Sequence, residues 1–258
     1  LLLEKQSTNY VLYSEQFEND INEVIARAKQ NGVERFYLPA IDKSYTDRML
    51  ALEAENQDSM FAMMGLHPCS VHPDTIEDEL AHVREWIDKR PFKAIGEIGI
   101  DLYWEKEFLQ TQQDAFKTQI EWAKEKDLPI VIHCRDAFNE VFEVLEEVQD
   151  EKLFGIFHCF SGTKEEAQRA IDFNLKLGIG GVVTFKNGKI DQFLGDFDIK
   201  HIVLETDSPY LAPVPYRGKR NESSYLTHVC DKLVDIYRKT PAEIAEITTK
   251  NALDIFER

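Results

Sequence analysis

The stretch Pro129–His158, PIVIHCRDAFNEVFEVLEEVQDEKLFGIFH, decides the fold. An apolar run, Pro129–Ile132, ends in His133; a segment of helical period, Ala137–Val148, follows; a second apolar run, Phe154–Phe157, ends in His158. Two short β-rich runs joined by an amphipathic helix read as parallel strands with a crossover. The same unit recurs on both sides. Further candidate strands lie at Tyr10–Leu12, Arg35–Pro39, Met60–Leu66, Lys93–Ile98, Leu175–Ile179 and His201–Leu204. Helical patterns with one apolar face run through Asn19–Gln30, Ser44–Asn56, Thr75–Lys89, Phe108–Lys126 and Lys164–Phe173. Eight strands spaced by helices predict an α/β fold of the (β/α)8 TIM-barrel type, with an open doubly wound sheet as the alternative. Two more helices, Ser223–Arg238 and Pro241–Phe256, would complete the outer ring, the second with Thr240, Pro241 and Glu243 in capping-box order. No Gly/Ser/Pro-rich linker interrupts the pattern, so residues 1–258 are expected to form a single domain.

Composition narrows the function classes. The chain of 258 residues carries 30 Lys+Arg against 47 Asp+Glu, a formal charge of −17, which excludes nucleic-acid binding by bulk positive charge. With 43% hydrophobic residues, 12 Gly and 9 Pro it is an ordinary globular chain. No long apolar run suits a membrane span, and the opening LLLEKQSTNY lacks the apolar stretch of a secretory leader. The expectation is a soluble, cytoplasmic monomer without a membrane partner. Cys69, Cys134, Cys159 and Cys230 are widely spaced with no C-x-x-C pair, which predicts reduced thiols.

In a barrel the chemistry gathers at the C-terminal ends of the strands, so a polar residue closing an apolar run is the signal. Four such residues occur. Glu97 lies in Lys93–Asp101, on the face of Ile95 by the period of two, and His133 and His158 end their strands. Asp207 follows the run Ile202–Leu204. A lone strand-end histidine is more often a satisfied structural group than a ligand. Two imidazoles and two carboxylates gathered at one barrel mouth are a ligand set for a divalent metal ion, Mg²⁺, Mn²⁺ or Zn²⁺. By the same alternation Cys134 and Cys159 should face the helices.

At these residues the chain resembles the TatD-like metal-dependent deoxyribonucleases of the amidohydrolase superfamily, whose members are (β/α)8 barrels. The resemblance covers nearly the whole chain. It rests on Gly65-Leu66-His67-Pro68, Gly96-Glu97-Ile98-Gly99-Ile100-Asp101, Ile132-His133-Cys134-Arg135, His158-Cys159-Phe160-Ser161-Gly162, Glu205-Thr206-Asp207-Ser208-Pro209-Tyr210-Leu211 and Pro215-Tyr216-Arg217-Gly218-Lys219-Arg220-Asn221. It implies that Glu97 bridges two metals, that His133 and His158 complete one metal site, and that Asp207 belongs to the other and helps activate water. The family's remaining ligands are a His-x-His pair on the first strand, where this chain has Asn9-Tyr10-Val11. Val11 offers no donor atom and an Asn amide oxygen is a weaker ligand than imidazole. One divalent ion is therefore expected at Glu97, His133 and His158, and a second, left with Glu97 and Asp207, is weakly held or absent. Divergence of the activity and an altered N-terminus are both open readings of the lost pair.

Around this centre the sequence offers substrate-binding candidates. His67 borders the cleft by resemblance, with a turn histidine before Pro68 as the bland reading. The cluster Arg217, Lys219, Arg220 and Asn221 is the sharpest basic stretch of an acidic chain and suits phosphate, against a merely solvated loop. Arg135 is expected either to touch phosphate or to pair with Glu97. Tyr103 and Trp104 are candidates to stack a base. The expected activity is hydrolysis of DNA, single-stranded and from an end, with Asp207 and Glu97 in the catalytic roles. The alternatives are an amidohydrolase acting on a small carbonyl substrate and a catalytically impaired barrel that binds nucleic acid or protein.

Overall fold

The computed structural model describes residues 5–10, 12–104 and 106–258. Its strands are β1 (Lys5–Tyr10), β2 (Val33–Leu38), β3 (Met60–Ala62), β4 (Ile95–Asp101), β5 (Ile130–Arg135), β6 (Gly155–Phe157), β7 (Leu175–Ile179) and β8 (Ile202–Ser208). All pairings are parallel, in the order β3-β2-β1-β8-β7-β6-β5-β4. The two ends of that order meet where Met64, just past β3, bridges to Ile95 of β4. Met64 donates its N–H to Ala94 O at 3.1 Å, and Gly96 donates to Met64 O at 2.9 Å. The chain is thus a (β/α)8 TIM barrel.

Around the strands lie α1 (Ile21–Gln30), α2 (Thr46–Glu55), α3 (Ile76–Lys89), α4 (Leu109–Glu125), α5 (Phe138–Val148), α6 (Lys164–Asp172), α7 (Leu226–Tyr237) and α8 (Pro241–Phe256). The capping box expected at α8 is formed by Thr240 and Glu243, with Pro241 in the first turn, and Thr163 and Glu166 make another at α6. Between β7 and β8 the α-helix of the repeat is replaced by four 3-10 turns, the first at Gly181–Thr184 and the last at Ile199–His201.

Several strand boundaries move. β3 stops at Ala62, short of the expected Leu66, because the chain leaves the ladder at the Met64 bridge to enter the mouth. β5 and β8 run on to Arg135 and Ser208, carrying the site residues inside the strands. Of the expected first strand Tyr10–Leu12, Tyr10 ends β1, Val11 lies outside the described residues, and Leu12 is buried beyond the strand.

The period of two stacks the barrel into an apolar floor and a polar mouth. Val131, Ile156 and Val203 share a buried cluster with Tyr37 and Ala94, closed from below by Ala252, Ile255 and Phe256 of α8. Ile130, Ile132, Ile202 and Leu204 join the second cluster, toward the helices. Two residues beyond the floor along β5, β6 and β8 come His133, His158 and Glu205, on the inner face. β4 departs from the expected alternation. Its pairing shifts register between Ile95 and Ile98, so Glu97 leaves the face of Ile95, which packs with the outer cluster.

The loop after β8 is anchored to α1. Arg27 donates from Nε and Nη2 to the Glu222 carboxylate at 3.0 and 2.6 Å, and the Ser224 hydroxyl donates to the same group. Burial alone would raise Glu222, but Arg27 and Ser224 outweigh it and hold its carboxyl below the ordinary value. A carboxyl depressed by folding contributes stability above its unfolded pKa of about 4.3, and that contribution is lost as pH falls through the folded value. Replacement Glu222→Gln is expected to cost about 1–2 kcal/mol at pH 7, since Arg27 is 43% exposed and partly screened. The difference from the native chain should shrink when urea unfolding is repeated near pH 3.

Candidate functional site

Glu97 sits at the centre of the mouth, 7% exposed, between two imidazoles. Its Oε1 lies 3.3 Å from His133 Nδ1 and 3.3 Å from His158 Nε2. Two ligand atoms of one tetrahedral ion with bonds of 2.0–2.1 Å stand about 3.3–3.4 Å apart, so each imidazole taken by itself has the spacing of a co-ligand with Glu97. Asp207 adds Oδ1 at 3.5 Å from His158 Nε2 and keeps 25% of its side chain exposed, toward the open mouth.

Each of these imidazoles is held from behind by a carboxylate. Asp101 Oδ2 lies 2.9 Å from His133 Nε2, and Glu205 Oε2 lies 2.6 Å from His158 Nδ1. With the ring hydrogen given to the rear carboxylate, the other nitrogen presents its lone pair toward Glu97, the arrangement that orients metal-binding histidines. Gly178 makes room for this, since a Cβ there would stand 2.5 Å from Glu205 Oε2. At Gly99, φ is +143° and a Cβ would meet the His133 carbonyl oxygen at 2.0 Å, so only glycine lets β4 lie this close to β5.

The electrostatics favour positive charge at this centre. Burial alone would lower His133, but Asp101 and Glu97 raise it to about 9. Burial would lower His158 too, and Glu205 and Glu97 instead raise it well above the ordinary range. Glu205 is fully buried, burial pushes its carboxyl up, and its Oε1 has no hydrogen-bond partner among the described residues. Four carboxylates around two imidazoles are costly in an apolar barrel unless positive charge, from protonated rings or a bound cation, balances them.

His67 enters this group from the segment after β3. Its donor atom and those of Glu97 and His133 all lie within 4.8 Å of one another, close enough for three ligands of one ion. The hydrogen bonds argue otherwise. His67 Nδ1 accepts the Cys69 N–H at 3.1 Å, which leaves the hydrogen of the neutral ring on Nε2, 3.2 Å from His133 Nδ1. Burial and the neighbouring His133 lower its pKa to about 4, so the ring is neutral at physiological pH. In this tautomer His67 gives its Nε2 hydrogen to His133 Nδ1 rather than offering a lone pair to an ion.

Two buried glutamines on α4 fix the backbone that carries these groups. Gln119 accepts the Leu66 N–H at 2.7 Å, and Gln112 accepts the Asp101 N–H at 2.8 Å. Each also donates back to the carbonyl of the same residue, at 3.3 and 3.2 Å. Seven residues apart, they share one face of the helix.

The other expected site residues divide. Arg135 does not pair with Glu97; its guanidinium lies 3.8 Å over the Tyr103 ring. Arg217 and Lys219 are exposed on the rim, Arg217 donating to Asn187 Oδ1 at 3.1 Å and stacking on Phe185. Arg220 is turned away into a fork on Asp20, at 2.7 and 2.5 Å. Asn221 is fully buried, its Nδ2 donating to the Thr206 and Tyr210 carbonyls, so it holds the end of β8 and faces no phosphate. Cys134 packs against the outer cluster as expected. Cys159 does not, because its φ of +42° ends the strand alternation and sets its thiol beside Glu205. Asp101, Glu205, Gln112 and Gln119 also belong to this arrangement, beyond the residues expected from the sequence. For Glu205 the signal was a carboxylate two residues before Asp207 in an apolar strand, and for the glutamines two amides on an apolar helix face.

Residues 10–257 match the family described as TatD related DNase. An uncharacterized metal-dependent hydrolase of Bacillus subtilis (strain 168), YabD, is 39% identical over 250 residues, 96% of this chain and 97% of that one. A protein of Pantoea ananatis (strain LMG 20103) named 3'-5' ssDNA/RNA exonuclease TatD is 30% identical over 252 residues, 95% of this chain and 96% of its own. The solved structure of YJJV, a TatD homologue of Escherichia coli K12, covers 100% of both chains with a TM-score of 0.92 at 27% identity. No described helix is long and apolar enough to cross a membrane.

If Glu205 orients His158, Glu205→Ala should weaken Mn²⁺ or Zn²⁺ binding about 10–100-fold, with Glu205→Gln falling between it and the native chain. Isothermal titration of metal into each variant, with circular dichroism to verify folding, measures this. Unchanged affinity in Glu205→Ala would mean that His158 is held by other groups.

Proposed function

Because the chain belongs to the TatD related DNase family, we propose that it is a metal-dependent phosphodiesterase that shortens single-stranded DNA from an end. The observation that carries this reading is the spacing of His133 Nδ1 and His158 Nε2 about Glu97 Oε1, 3.3 Å each, with a carboxylate behind each ring. The name of the Pantoea ananatis relative supports the nucleic-acid substrate.

In this reading Glu97, His133 and His158 hold a divalent ion. When bound, the ion supplies Lewis acidity, lowering the pKa of water and offsetting charge on the phosphoryl oxygens. Asp207, on the open side, takes the proton of the attacking water. His67, whose Nε2 hydrogen otherwise faces His133 Nδ1, would give that hydrogen to a phosphate oxygen when His133 holds the ion. Arg217 and Lys219 receive the phosphate backbone on the rim, giving an acidic protein the local positive charge that this substrate needs. Arg220 is committed to Asp20 and contributes to the shape of the loop.

The first strand favours a single tightly held ion. β1 pairs with β8 at Thr8↔Glu205 and Tyr10↔Ser208, which puts Asn9 at the level of the end of β8 that carries Asp207. An Asn at that position, followed two residues later by Val11, adds little affinity for a second ion. Native mass spectrometry with excess Mn²⁺ should count one retained ion per chain, and Asn9→His combined with Val11→His should raise the count to two. Two retained ions in the unaltered chain would mean that other groups complete the second site.

The activity is tested with an end-labelled single-stranded oligonucleotide and Mg²⁺ or Mn²⁺. Hydrolysis is expected in the native chain and not in Glu97→Ala. Arg217→Ala with Lys219→Ala should raise KM about ten-fold or more while leaving kcat largely intact, as loss of charged phosphate contacts predicts. An unchanged KM would favour a small carbonyl substrate instead. No hydrolysis in the native chain, with activity gained by the Asn9→His, Val11→His pair, would identify a nuclease disabled at one metal position.

A further inference from the structure

The exposed large hydrophobic residues among those described are Tyr103, Trp104, Tyr210, Leu211 and Val214. None is scattered over the outer helices. Tyr103 and Trp104 follow β4, and the other three follow β8. In the ring of strands β4 and β8 are four steps apart in either direction, so the two patches stand on opposite sides of the mouth. Glu97 and Asp101 are on the first of these strands, and Asp207 is on the second.

The patch after β4 is built rather than loose. Asp101 Oδ1 accepts the N–H groups of both Tyr103 and Trp104, each at 2.9 Å, while its Oδ2 holds His133. One carboxylate thus ties the aromatic turn to the imidazole of the candidate metal centre. The two rings meet edge to face, centroids 4.8 Å apart and planes at 87°. Arg135 covers Tyr103 at 3.8 Å, and Trp104 stays 69% exposed. Across the mouth Tyr210 is 58% exposed, three residues past Asp207.

We propose that Trp104 and Tyr210 are stacking platforms for nucleobases on either side of the phosphate being cut, with Arg135 beside the first as its phosphate contact. This rests on the nuclease reading above and specifies its substrate as a strand with unpaired bases, since a base within a duplex has no free face to give. The chemistry fits a nucleotide at both ends, with aromatic faces for bases and a guanidinium beside the first for phosphate. A platform of this kind accepts any base, so the preference it creates is for single strands and not for sequence.

The test compares a fluorescein-labelled thymidine octamer with an abasic octamer of the same backbone, by anisotropy in EDTA. The proteins are the native chain, Trp104→Ala, Trp104→Phe and Tyr210→Ala, each with its melting temperature recorded. Trp104→Ala and Tyr210→Ala should weaken thymidine-octamer binding about 5- to 150-fold, the range for loss of one base stack, and change abasic binding little. Trp104→Phe should recover most of the loss. Equal losses on both octamers, no loss on either, or no binding of the thymidine octamer by the native chain would overturn the platforms. Turnover of the thymidine octamer by the native chain with Mn²⁺ is scored separately. Base-dependent binding without turnover, in both the native chain and the Asn9→His, Val11→His pair, would sink the nuclease reading and keep the platforms, whereas turnover without base-dependent binding would do the reverse.

Discussion

Glu97 is a buried carboxylate with an imidazole on each side, and each imidazole has a second carboxylate behind it. That arrangement is costly in an apolar barrel unless positive charge balances it. The rest of the mouth serves the balance. Gly99 lets β4 press against β5, Gly178 opens space for Glu205, and the register shift in β4 turns Glu97 inward. Below, Val131, Ile156 and Val203 form a buried apolar floor.

The two glutamines of α4 show how precision is transmitted from an outer helix to the site. Each amide satisfies both the N–H and the C=O of a backbone residue where regular pairing has ended, Leu66 before His67 and Asp101 at the tip of β4. Unpaired, those buried backbone groups would each cost on the order of 1–3 kcal/mol and leave His67 and Asp101 free to shift. A hydrogen-bonded amide on a rigid helix is therefore a positioning device for the groups of the candidate site. Asn221 does the same for the carbonyls at the end of β8.

His67 shows how the partner behind a ring sets what the ring offers. It is near enough to Glu97 and His133 to count as a ligand, yet the Cys69 amide occupies its Nδ1 and leaves a hydrogen on the nitrogen that faces the cluster. The contrast with His133 and His158 lies in the partner behind the ring. A carboxylate there makes an imidazole present a lone pair, and an amide N–H makes it present a hydrogen. In the proposed site, three histidines of similar sequence context thus divide into two that offer a lone pair and one that offers a hydrogen.

The barrel was legible in the sequence because its signals are local. Apolar runs of strand length, helical periods between them and a polar residue at each run's end are properties of a few neighbouring residues, and they located Glu97, His133, His158 and Asp207 at one mouth. The capping box at Thr240 was legible for the same reason. What only the tertiary structure decided involves partners far apart in the chain. The Arg220 fork on Asp20 spans 200 residues, the Gln119 contact with Leu66 spans 53, and His158 with Glu205 spans 47. Side-chain type cannot say which of several acids an arginine will meet, nor which nitrogen of a ring will keep its hydrogen. The sequence determined the kinds of donors and the layer they occupy; folding chose their partners, because hydrogen bonds and ion pairs are settled by distances that close only when the ring of strands does.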